Sequence, residues 1–140
     1  MSIKRNHEFK CPACGHEQLT LVWSVAYSTD SMAMERIMSQ RLNTTECGGC
    51  GKVWINDEPV LFEHRERKYC IQYLNKDTVA NKAYFKDVTQ NGLAILDPLS
   101  ARIVRESGDI HAFTPHYVFS MREMAAYIVF RDLCAAWGVD

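Results

Sequence analysis

Cys11-Pro12-Ala13-Cys14-Gly15 and Cys47-Gly48-Gly49-Cys50-Gly51 repeat one local pattern: two thiols, two residues apart, followed by glycine. Two intervening residues let the chain turn back so that both sulfurs face one point. The glycine after the second cysteine takes a positive φ without steric penalty and closes the turn. Backbone N–H groups freed by the turn point at the sulfurs. Pro12 fixes φ inside the first turn and removes one donor. Together the two knuckles supply four thiolates, the number a structural zinc ion takes in tetrahedral geometry. The sequence therefore predicts one zinc ion held by Cys11, Cys14, Cys47 and Cys50.

Two other readings compete. Cys-Pro-Ala-Cys alone fits a dithiol redox pair, which depends on a lowered thiol pKa. Such a pair sits after a strand at the start of a long helix in a βαβ unit. The residues after Cys14 read instead as a strand, and a second pair with the same glycine offset has no redox explanation. Unligated thiols, or disulfides within a pair, are the remaining alternative. The gap between the knuckles is longer than in the shortest zinc motifs and reads as an insertion within a ribbon.

Working outward, Leu19-Thr20-Leu21-Val22-Trp23-Ser24-Val25-Ala26-Tyr27 carries large residues at odd positions. That period of two predicts a strand with one buried face. Ser28 to Ser31 is a turn suited to capping a helix. Met32 to Leu42 then places Met34, Ile37, Met38 and Leu42 at helical spacing, a core stripe or an adaptable methionine-rich face. Asn43 to Glu46 and Val53 to Ile55 read as short strands entering and leaving the second knuckle. Val60-Leu61-Phe62 and Lys68 to Leu74 read as a hairpin around the polar turn His64-Arg65-Glu66-Arg67.

This order of knuckle, strand, helix of about three turns, short strand, knuckle and Pro-Val-Leu-Phe-Glu-His turn resembles the CpXC family, bacterial proteins named for a Cys-Pro-x-Cys motif. The matching positions are Cys11, Pro12, Cys14, Cys47 and Cys50, together with the stretch from Pro59 to His64. The resemblance spans roughly residues 9 to 74 and fades from Asp77 onward. It implies a zinc-ribbon-like domain with no established activity. The turn at His64 to Arg67 departs from the Asp-Pro usual in that family.

Beyond the hairpin, Asn75 to Asn81 is polar and reads as a linker. Lys82 to Val88 fits a strand or a short helix, and Leu93 to Leu96 a short strand ended by Asp97-Pro98. Ala101 to Arg105 suggests another strand, followed by a turn at Ser107 to Asp109 before Ile110 to Phe113. Ser120-Met121-Arg122-Glu123 is a capping box opening a helix to about Trp137, with Gly138 placed for its end. Apolar residues cover most of that helix's circumference. It is therefore expected to be buried on more than one side, centrally or against a dimer mate or partner.

The 140 residues carry a formal net charge of −1 and an ordinary 47% hydrophobic share. Four thiolates and a divalent ion bring the balance to about −3, which argues against a nucleic-acid binder. No stretch is long and apolar enough to span a bilayer. Lys4 and Arg5 have no apolar run behind them, so no secretory signal is expected. A reducing cytoplasm suits metal-bound thiolates.

The prediction is an α+β protein. Residues 1–76 form a zinc-ribbon-like antiparallel half with a helical insertion, and residues 77–140 an α+β lobe ending in a long buried helix. The lobe packs with the first half as one globule or stands apart. The expected function is a zinc-binding, non-enzymatic protein-interaction module: an adaptor, subunit or inhibitor of another protein, with a homodimer as a further option. One alternative is a nucleic-acid-binding ribbon using Lys4, Arg5, Lys10, Arg65, Arg67 and Lys68. Another is an enzyme in the C-terminal half, using His111 or His116 with Asp109. His16, just past the first knuckle, is a loop histidine or a neighbour of the thiolates. Cys70 and Cys134 read as packing thiols. No G-x-S-x-G, phosphate-binding loop or H-E-x-x-H is present. Four cysteines close a zinc ion against catalysis, so no catalytic residue is expected.

Overall fold

The computed structural model describes residues 2–139. The elements in order are β1 (Ile3–Lys10), β2 (Glu17–Tyr27), α1 (Ser31–Met38), β3 (Thr44–Glu46), β4 (Val53–Ile55), β5 (Val60–His64), β6 (Tyr69–Tyr73), α2 (Lys76–Ala80), α3 (Pro98–Ser107), β7 (His116–Val118) and α4 (Met121–Ala136). Short 3-10 turns occupy Tyr84–Asp87 and Ile110–Phe113. Five strands form one sheet in the order β1-β2-β5-β6-β7, and β3 and β4 form a second, two-stranded sheet. This is the mixed α+β class expected from the sequence.

β1 has no sequence signature. Its side chains are mostly exposed, so the chain shows no alternation there. Its backbone ladder to β2, from Lys10↔Glu17 to Ile3↔Val25, holds it as an edge strand. The register jumps between Ile3 and Lys4, leaving Ser24 as an extra residue in β2. A bulge of this kind turns the following side chains over. Trp23 and Ala26 therefore share the core, while Tyr27 goes to the opposite side, where its ring meets the Arg65 guanidinium. The odd-position rule read from Leu19 to Tyr27 holds for Leu21 and Trp23 only: Leu19 is exposed and Val22 is buried.

α1 begins where the turn predicts: the Asp30 side chain accepts from the Ala33 N–H. It ends at Met38, earlier than expected, because Gln40 and Asn43 adopt positive φ. Ala33 and Ile37 are fully buried, Leu42 is buried beyond the helix, and Met32 and Met38 face solvent. The core unites Trp23, Ala26, Ala33, Ile37, Leu42, Val60, Phe62, Ile71, Val118, Met124 and Ile128, so α1 and α4 contribute to the same packed layer.

The second half corrects several expectations. Asn75 caps the short helix α2 where a linker was expected. Leu93 to Leu96 contributes only an isolated bridge, Val88↔Ala94. Ala101 to Arg105, expected as a strand, lies within α3. Asp97 caps that helix through the N–H groups of Leu99 and Ser100, and Pro98 occupies its first turn, where a missing N–H costs nothing. Ile110 to Phe113 is a 3-10 turn whose His111 backbone oxygen accepts from the Cys70 thiol across β6. β7, unpredicted, pairs in parallel with β6 and forms the other sheet edge. α4 is capped as expected, with Ser120 accepting from the Glu123 N–H and Glu123 accepting from the Phe119 N–H. It is buried along one side only, through Met124 and Ile128. Within the chain, the expectation of burial on more than one side fails.

Candidate metal centre

Each knuckle is the tip of a hairpin. The β1–β2 ladder closes at Lys10↔Glu17 and the β3–β4 ladder at Glu46↔Val53, so residues 11–16 and 47–52 are loops of equal length. The loops close identically. The Cys11 N–H donates to the His16 carbonyl at 2.8 Å, and the Cys47 N–H to the Lys52 carbonyl at 2.9 Å. The Gly15 and Gly51 N–H groups return to the Cys11 and Cys47 carbonyls, each at 2.8 Å. Their φ values, 76° and 74°, are the left-handed geometry glycine allows freely.

Side chains along β2 tie the second hairpin to the first. The Gln18 amide donates to the Glu46 carbonyl at 3.1 Å and accepts from the Gly48 N–H at 2.8 Å. The Thr20 and Thr45 hydroxyls meet at 2.6 Å. The buried Asn43 amide accepts from the Trp23 N–H at 2.7 Å and donates to the Trp23 carbonyl at 3.0 Å. β2 pairs with β5 only over Val25–Tyr27. Below that point Asn43 satisfies the backbone of Trp23 on the open edge of β2 in place of a backbone ladder, while Gln18 and Thr20 link the strand to the second hairpin.

The four sulfurs of Cys11, Cys14, Cys47 and Cys50 lie within 4.8 Å of one another. Across the knuckles, Cys11 and Cys50 are 3.7 Å apart and Cys14 and Cys47 3.5 Å. An ion bound by four thiolates at about 2.3 Å in a tetrahedron sets its sulfurs about 3.8 Å apart, close to the separations across the knuckles, so the donor set fits a metal. Cys11 and Cys47 are buried at 1% and 2% exposure, whereas Cys14 and Cys50 are exposed.

The electrostatics favour a cation. Burial opposes ionisation of Cys11, but the Cys14 and Ala13 N–H groups outweigh it and bring the thiol down to about 6. The Cys50 N–H, with that of Gly49, lowers Cys47 in the same way against burial. At Cys14 the His16 N–H favours the thiolate, yet the neighbouring Cys47 sulfur and burial override it and raise the thiol to about 12. Four thiols this close cannot all ionise unless a positive charge sits among them. Gly49 is a packing requirement: a Cβ there would lie 3.0 Å from His16 Cβ and 3.2 Å from Cys14 Sγ. His16 thus lies against the second knuckle without joining the cluster, which among the described residues contains cysteines alone.

The structure separates the other candidates. His111 is buried, with Nε2 3.0 Å from Glu63 Oε1, and its Nδ1 has no partner. His116 stacks on Tyr127 at 3.8 Å and lines a groove that does not include His111. Sequence reading did not foresee the Glu63–His111 pair, because the two are 48 positions apart and on different elements. Burial raises the Cys70 thiol to about 12, as suits a packing residue. Five of the six candidate basic residues are engaged by other side chains, leaving Lys68 as the exception. Arg5 pairs with Glu58, Lys10 with Glu17, Arg65 with Glu63 and Arg67 with Asp132, while Lys4 lies over Trp23. No helix among the described residues is long and apolar enough to cross a membrane.

The family model described as CpXC protein matches residues 9–136, from the entry to the first knuckle to the end of α4. The match extends well past residue 74, where the sequence resemblance was expected to fade. No curated protein and no solved structure matches the chain.

Proposed function

Since this chain belongs to the CpXC family, we propose that it is a non-enzymatic protein-interaction module built on a structural zinc centre. Cys11, Cys14, Cys47 and Cys50 would hold the ion. Soft thiolates in tetrahedral array select zinc over the hard divalent cations. With four sulfurs the ion has no open position for water or substrate, so its work is to fix the two hairpins against each other. Binding of this kind supplies on the order of 10 kcal/mol of folding free energy in isolated zinc peptides. A reducing cytoplasm is the compartment in which such thiolates stay metal-bound.

The observation that carries the interaction reading is apolar surface left in water. Leu99 and Ile103 stand one turn apart on α3 with more than half their surface exposed, and Ile95 and Ile110 are exposed too. Large apolar side chains left in water on one helix face suit a protein-binding face. The partner is another protein, which the chain serves as adaptor, subunit or inhibitor. The test is affinity purification of the tagged chain from its own host, beside Leu99→Asp/Ile103→Asp. One protein should elute near stoichiometry with the wild type and be lost from the variant. Elution of the chain alone, or the same protein with both baits, would refute the reading.

A further inference from the structure

The outward side of α4 carries Ala126, Phe130, Leu133 and Trp137, spaced i, i+4, i+7 and i+11. At 3.6 residues per turn these four form one narrow stripe along the helix. Phe130, Leu133 and Trp137 are 56%, 51% and 79% exposed, and Val129 and Phe119 flank them in the open. No charge interrupts the stripe: Arg131 lies over the Tyr69 ring and Asp132 pairs with Arg67. At its N-terminal end a groove of about 400 Å³ opens between β7 and α4, lined by His116, Phe119, Glu123, Ala126, Tyr127 and Phe130 among others. Ala126 leaves room there. Glu123 Oε2 is taken by the Phe119 N–H at 2.7 Å, while Oε1 has no partner among the described residues.

The same face thus holds an apolar hollow at one end and, at the other, the most exposed large hydrophobic side chain among the described residues. Eleven residues of helix separate them by about 16 Å, so Trp137 cannot reach its own groove. We propose that a second copy of this chain docks antiparallel on α4, with each Trp137 seated over Ala126 of the other copy. A two-fold axis uses one patch twice, and this patch is self-complementary. The register that sets Trp137 against Ala126 also sets Phe130 against Leu133. Glu123 Oε1 supplies the acceptor that a buried indole N–H requires, a charge-assisted match. With aromatic side chains worth about 150–250 Å² each, the exposed parts of the stripe and its flanks come to on the order of 600 Å² per copy. Two copies then bury on the order of 1,200 Å², the lower edge of a specific interface. The inference rests on reading the chain as an interaction module, and it leaves α3 free for a different protein.

The test is the mass in solution of the metal-loaded full chain, by sedimentation equilibrium from 1 to 200 μM. The wild type should reach twice the 16.1 kDa chain mass. Trp137→Ala removes both knobs and should weaken association by on the order of a hundredfold or more. Ala126→Trp fills both hollows and should do the same. Mixed one to one, the two variants should recover dimer, because one intact Trp137 meets one intact hollow and Trp at 126 meets Ala at 137. Retained metal and an unchanged circular dichroism spectrum identify a folded variant, expected because both positions face solvent. A wild type that stays monomeric throughout overturns the proposal. So do variants that dimerise as the wild type does, or a mixture that stays monomeric. A monomeric chain that still recovers its host protein would sink the dimer and leave the module reading standing.

Discussion

Replacing Asn43 tests how the two hairpins are joined. Asn43 is buried and sits at φ 56°, and its amide satisfies both the N–H and the carbonyl of the buried Trp23. Asn43→Ala strips both partners from Trp23. Each buried backbone group left unpaired costs about 1–3 kcal/mol. Alanine also takes the left-handed conformation with a penalty of roughly 1 kcal/mol that asparagine largely avoids. The expected loss is about 3–7 kcal/mol, a large part of the 5–15 kcal/mol that holds a typical domain. Asn43→Gly removes the same hydrogen bonds but tolerates positive φ, so it should lose about 1 kcal/mol less. The assay is urea unfolding followed by circular dichroism, at one fixed excess of zinc for all three proteins. An Asn43→Ala unfolding free energy within about 1 kcal/mol of wild type would refute the argument. Equal damage from Gly and Ala would refute its backbone component.

Two further predictions concern the cysteines. Gly49→Ala pushes a methyl into His16 Cβ and Cys14 Sγ. It should weaken metal binding about tenfold in a chelator competition, on the scale of other close-neighbour perturbations of a metal site. Gly48→Ala, whose nearest neighbour is the far end of the His16 ring at 3.3 Å, should do less. Burial raises Cys70 to about 12, so its reactive thiolate is scarce at pH 8 and grows only as pH climbs toward that value. Iodoacetamide on the metal-stripped chain at pH 8, where circular dichroism shows it still folded, should alkylate the exposed Cys50 well before the buried Cys70, read by peptide mass spectrometry.

The metal cluster was legible because its chemistry is local: spacing and a trailing glycine suffice to set two sulfurs on one side of a turn. The hairpin of β5 and β6 and the start of α4 were legible for a related reason, since alternation and the Ser120–Glu123 box are short-range signals. β1 and β7 were not: β1 is an exposed edge with no alternation to read, and β7 is three residues long and pairs with β6, about 45 positions earlier. The bulge at Ser24 was invisible, because composition carries no mark of an extra residue in a ladder. α3 could have been found. Asp97 before Pro98 is a helix opening, but Ala101 to Arg105 read alone looked β-prone. The exposed face of α4 misled in an informative way. Apolar periodicity reports that a surface is to be covered, and does not report whether the same chain covers it.

Zinc K-edge X-ray absorption on the purified full chain tests the central claim most directly. The account predicts one zinc per chain with four sulfur neighbours at about 2.3 Å and no lighter ligand. A first shell containing nitrogen or oxygen, or a folded chain with no bound zinc, would contradict it.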